Sequence, residues 1–153
     1  MNPLHNILLQ LESHIPNLEK TNSKISSSSI GWQIDHCLLV INGIISQLEV
    51  SNPSEYRPKF NLPKFIVFTT GKIPRGKARA PKIVMPVDVA TANELKSKIE
   101  LAKTNILKLS SFPTNAHFKH PFFNDLNTKQ TGKFLAIHTK HHLKIIEDIL
   151  KFK

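Results

Sequence analysis

Apolar residues recur at helical spacing in four stretches of the chain. Leu4, Ile7, Leu8, Leu11 and Ile15 follow Asn2-Pro3, an N-cap and a proline at the first helical position, and the pattern stops at Pro16. Residues 17–29 are polar, lack periodicity and end in four serines, which reads as a loop leading to a serine cap. A second helix opens at Gly31 and runs through Ile45; it is apolar on most of its surface and is expected to be the most buried. Thr91-x-x-Glu94 is a capping box that opens a third helix through Leu95, Ile99, Ala102, Ile106 and Leu109. Asn127 and Gln130 stand at the spacing of a variant box, and a fourth helix extends from there to about Leu150.

Two stretches break this pattern. Between residues 50 and 90, Pro53, Pro58, Pro63, Pro74, Pro81 and Pro86 exclude a long helix. Pro63 to Gly71 fits either a short helix, with proline at its start and glycine past its end, or a short strand; periodicity does not separate the two. A connection this long is expected where a bundle crosses over instead of turning back. Ser110 to Leu126 reads as a loop in which Pro121 holds His120 extended and Phe122-Phe123 plug the end of the bundle. The predicted architecture is all-α: a four-helix bundle with a long crossover between helices 2 and 3, in one domain over 1–153.

The histidines add candidate chemistry. At about 100° per residue, His138 and His142 lie some 40° apart on the face that carries Phe134, Ile145 and Ile149. An inward imidazole needs a hydrogen-bond partner or a metal ion, and an i, i+4 pair can close on one ion. His36, on the face of Trp32, Leu39, Val40 and Gly43, is the candidate third ligand, and Gly43 leaves room for a neighbouring backbone or a ligand. Alone, His36 would read as a core histidine bonded to a carbonyl; two further inward histidines shift the balance. Asp35, rotated about 100° from His36, is expected to face solvent or cap rather than support a ligand. Cys37 reads as a small core hydrophobe. His5 and His14 read as exposed, and nothing fixes the direction of His117 or His120.

Charge changes the picture next. A formal net charge of +10 calls for an anionic partner: nucleic acid, an acidic membrane surface or a small anionic substrate. One Tyr and one Trp offer few stacking platforms, which argues against nucleic acid. Arg57, Lys59, Lys64, Lys72, Arg75, Lys77, Arg79 and Lys82 crowd the crossover, either as an anion-attracting lip or as a solvated basic loop, the commoner case. A single cysteine fits a reducing compartment, and no stretch approaches the ~20 apolar residues of a membrane span, so a cytoplasmic protein is expected.

Trp32-x-x-x-His36 on an early helix, followed by His138-x-x-His141-His142 on the last, resembles the DinB superfamily of metal-binding four-helix bundles. The run from His120-Pro-Phe-Phe to Gln130, and Pro74-Arg-Gly-Lys-Ala in the crossover, are similar to one uncharacterised branch of it. The resemblance covers the whole chain in order and spacing. It implies His36, His138 and His142 as metal ligands, with His141 as a non-ligand neighbour, although at i+3 from His138 geometry alone does not exclude it. The chain departs from the branch in Asn124 for glycine, Asn127 for threonine and Thr131 for tryptophan, positions that bear on pocket shape rather than on the ligands.

Three imidazoles leave an open coordination position, the mark of a reactive site, and suit a divalent transition metal, Zn or Ni first. The resemblance adds metal-dependent transferases that act with low-molecular-weight thiols such as bacillithiol or mycothiol. The expected function is a metal-dependent small-molecule enzyme, thiol transfer ahead of hydrolysis. Arg75, Lys77 and Arg79 would attract substrate carboxylates, and Asp35 and His141 are the near candidates for a general base. The alternative is a non-catalytic bundle that uses the basic crossover for an acidic partner, nucleic acid included. Superfamily members dimerise through bundle faces, so a homodimer stays open.

Overall fold

The computed structural model describes residues 3–76 and 81–151. The proposed Asn2 cap therefore lies outside the described residues. Helix α1 (Pro3–Ser13) buries Leu4, Leu8 and Leu11 and is followed by a 3-10 turn, Ile15–Asn17, at Pro16. Helix α2 (Ile30–Val50) starts where the Ser29 side chain accepts from Trp32 N–H, one of the amides a helix cannot satisfy itself. Helix α3 (Leu62–Thr70) resolves the ambiguity at Pro63–Gly71: Asn61 caps it by accepting from Lys64 N–H, and Gly71 ends it at φ 65°. Helix α4 (Ala92–Lys108) carries both halves of the Thr91–Glu94 box. At the start of α5 (Thr128–Lys151), Gln130 N–H donates to Asn127 Oδ1 at 3.0 Å, and Gln130 Oε1 accepts from Asn127 N–H at 3.2 Å.

α1 and α2 each pack on both α4 and α5, and their buried faces form one apolar cluster. The crossover lies against this body: α3 touches α5, and the turn Lys82–Val84 touches α2. No described helix is long and apolar enough to cross a membrane.

The segment read as a loop holds a β-hairpin, so the structure is mostly helical, roughly the expected all-α class, with one small sheet added. Strand β1 (His117–His120) pairs antiparallel with β2 (Asn124–Asn127), with Phe118 opposite Leu126 and His120 opposite Asn124. Pro121-Phe122-Phe123 make the three-residue turn, and Asn124 leaves it at φ 59°, a left-handed conformation that asparagine tolerates better than most residues. Only Phe123 enters the core; Phe122 is half exposed, so the expected plug is one ring, not two.

Two glycines of α2 behave oppositely. Gly31 donates its N–H to Leu18 O at 2.7 Å, and a Cβ there would stand 3.0 Å from that oxygen, so the residue must be small for the loop 18–29 to dock. Gly43 is exposed, and a Cβ would meet nothing within 4 Å, so of the two uses expected for the room it leaves, a neighbouring backbone or a ligand, no backbone takes it. Gly43→Ala is expected to stabilise the fold by about 0.5–1 kcal/mol through helix propensity, and Gly31→Ala to destabilise it. Urea midpoints of the two variants check both signs.

Candidate metal centre

His36 on α2 and His138 and His142 on α5 converge, as expected from their helical faces. Their ring centroids are 4.6 to 5.1 Å apart, and one ring nitrogen from each lies within 4.8 Å of the others. His36 and His138 approach through their Nε2 atoms, 3.2 Å apart. A tetrahedral ion about 2.05 Å from each nitrogen would set two of them about 3.3 Å apart, so this pair already stands at ligand spacing. The widest separation would have to close by about 1.5 Å.

The other nitrogens decide which lone pairs face inward. His36 Nδ1 lies 2.7 Å from Val84 O, a carbonyl that only accepts, so Nδ1 carries the hydrogen and Nε2 is a bare acceptor. His142 Nδ1 lies 2.6 Å from Gln33 Oε1, and the Gln33 amide is oriented by donating from Nε2 to Ser26 Oγ at 3.1 Å. His142 Nε2 is then likewise free for a ligand bond.

His138 is different: its Nδ1 is buried without a hydrogen-bond partner. With hydrogen on Nδ1, two Nε2 lone pairs would face each other at 3.2 Å, which a cation between them resolves. With hydrogen on Nε2, it bonds to His36 and leaves a bare buried nitrogen. A buried nitrogen without a partner, on an imidazole packed against two others, fits an ion-binding centre.

Burial keeps these rings uncharged. It lowers the pKa of His36 against the opposing pull of the Val84 carbonyl and the Asp35 charge. It takes His142 down to about 2, aided by His36 and His141. It holds His138 well below the usual range, with the neighbouring imidazoles adding to the effect. Neutral imidazole is the form that binds a metal. Trp32 stacks on His36 with ring centroids 5.1 Å apart and planes 13° apart, and Phe134 lies against His138.

The remaining candidates separate clearly. Asp35 does not face solvent: it is buried and its Oδ1 accepts from Lys98 Nζ at 2.6 Å, which ties α2 to α4 one residue before His36. Its charge is committed to that pair rather than free as a base. His141 packs edge-on to His142 with centroids 5.1 Å apart, partly buried. Burial lowers its pKa first, and the Arg75 charge adds to this. Arg75 therefore sits on the His141 side of α5, anchored by Nη2 to Asp148 Oδ2 at 2.7 Å. Lys77 and Arg79 lie outside the described residues.

His120 is structural. Its Nδ1 accepts from Phe122 N–H and Phe123 N–H, its ring stacks on Phe123, and burial takes its pKa to about 4. His117 faces Tyr56, and its Nδ1 donates to Asn115 O. Cys37 is fully buried, which pushes its thiol pKa far up and leaves it inert.

Gln33 was not singled out from the sequence, although an amide on the nearly all-apolar α2 is the kind of residue that must find a buried partner. Gln33→Leu removes the acceptor for His142 Nδ1 and is expected to weaken metal affinity about 10–100-fold with the helical content intact. Gln33→Glu keeps an acceptor and should retain most of it. Competition against a chromophoric chelator measures both. Compared with family models, curated proteins and solved structures, the chain matches none, so the centre is read from its own geometry.

Proposed function

We propose that the chain is a single-domain four-helix bundle of the DinB type that holds one divalent transition metal, Zn or Ni, on His36, His138 and His142. Its activity is on a small molecule, transfer of a low-molecular-weight thiol ahead of hydrolysis. The observation that supports this most is the 3.2 Å approach of two imidazole Nε2 atoms, with the hydrogen of His36 fixed on the far nitrogen by Val84 O. An ion bound there keeps an open position and supplies Lewis acidity toward a thiol or water.

The chain's own groups supply the rest. Burial lowers the pKa of all three imidazoles and so favours their neutral form. Arg75, held by Asp148 beside His141, gives a fixed cation for a carboxylate of the thiol or its acceptor. His141 is the near imidazole not required as a ligand, and it takes the base role ahead of Asp35, which Lys98 occupies. The pairing of Arg75 also weakens the alternative in which the crossover offers all its charge to a large acidic partner.

Metal content by mass spectrometry tests the reading, on untagged protein purified without added metal beside His36→Ala, His138→Ala and His142→Ala. About one ion per chain, lost in each variant, is expected. Protein that is empty and also refuses Zn and Ni would overturn it.

A further inference from the structure

A cleft lies on the other side of the aromatic layer that backs His138. It measures about 540 Å3 and opens between residues 56–69 and the first turns of α5. That volume lies in the range of small-ligand pockets. Three phenylalanines line it. Phe60 is 81% and Phe65 57% exposed, with ring centroids 6.4 Å apart, and Phe68 forms part of the wall. Rings this exposed stay in water unless something flat and apolar covers them.

The charged residues of the lining have one sign. Lys59, Lys64 and Lys133 line the cleft, no carboxylate does, and none of the three has an acidic partner among the described residues. Two of the ammonium groups are held in place: Lys64 Nζ donates to Lys59 O at 3.3 Å, and Lys133 Nζ stands 5.7 Å from the Phe68 ring centre. Asp125, whose charge reaches Tyr56 at the rim, accepts from Arg57 N–H. Gln130 Oε1 accepts from Asn127 N–H and the Tyr56 hydroxyl, which leaves its amide N–H groups as donors for a ligand.

We infer that this cleft binds a small organic anion carrying an aromatic ring, its ring against Phe60 and Phe65 and its phosphate or carboxylate among the three lysines. The site is separate from the metal centre. From Phe68 the ring contacts run through Phe123 and Phe134 before reaching His138, with centroid steps of 6.1, 5.9 and 5.5 Å.

The test uses full-chain protein freed of metal by chelation, titrated calorimetrically at low salt with AMP and with 1-naphthoate, beside adenosine and inorganic phosphate. At least one of the two aromatic anions is expected to bind once per chain, at least tenfold more tightly than adenosine or phosphate. Lys59→Ala/Lys64→Ala/Lys133→Ala and Phe60→Ala/Phe65→Ala should each weaken it at least tenfold, with circular dichroism unchanged because these side chains are largely outside the core. His138→Ala should leave it unaltered. The inference is overturned if neither anion binds, if phosphate matches them and the phenylalanine variant is unaffected, if the lysine variant binds normally, or if His138→Ala abolishes binding.

Discussion

Metal-free protein taken from pH 7 to pH 5 is expected to lose at least about 4 kcal/mol of folding stability, a large share of what many chains of this size possess. The loss comes from three imidazoles that the fold keeps neutral: His120 at about 4, His142 at about 2, and His138 well below the ordinary value of 6.5. Below pH 6.5 the unfolded chain takes up a proton at each of these positions and the folded chain does not. Stability is therefore fully present above pH 6.5 and is lost as pH falls, by about 2 kcal/mol for each of His120 and His142 at pH 5, with His138 adding in the same direction. His36 and His141, also lowered, act in the same direction. Urea midpoints in the presence of a chelator, measured between pH 7 and 5, should fall steeply; a flat profile would mean that the rings are protonated in the folded state.

Zinc at a thousandfold excess over its dissociation constant is expected to add about 4 kcal/mol of stability, because the converged site does not exist in the unfolded chain. For a chain of this length that corresponds to a rise in Tm of roughly 8–16 °C. The rise should nearly vanish in His36→Ala, His138→Ala and His142→Ala. With eight histidines in the chain, stray binding is a real competitor, and the variants separate it. Equal shifts in all four proteins would place the ion on other histidines. The pH dependence adds to the contrast: burial favours the neutral form of the folded rings where the unfolded chain protonates, so zinc's stabilisation should persist through the range in which the metal-free protein itself weakens.

The helices were legible because their signals are local. Thr91–Glu94 and Asn127–Gln130 are caps within one turn, and Leu4, Leu8 and Leu11 repeat within one helix. The histidine face of α5 followed from the same periodicity. The hairpin was not legible: each strand has four residues, each buries one apolar side chain, and Asn124, Asp125 and Asn127 are poor strand formers. Asp35 reads from the sequence as solvent-facing or capping because its partner Lys98 lies on another helix, 63 residues away, and no local pattern announces such a pair. The contact from Val84 to His36 was out of reach for a simpler reason: a backbone carbonyl is the same at every position and carries no sequence signal.

That carbonyl makes the crossover and the centre one thermodynamic unit. Val84 ends the single turn Lys82–Val84, and its oxygen fixes the hydrogen of an imidazole 48 residues earlier in the chain. Whatever tightens His36 must hold this part of the crossover closed, and whatever pulls the crossover away leaves His36 free to rotate its ring or change tautomer. Because coupling of this kind is reciprocal, an occupied centre would slow proteolytic cutting at Lys82, and a crossover nicked there would release its ion faster. The turn Lys82–Val84, in that sense, is the clasp of the candidate site.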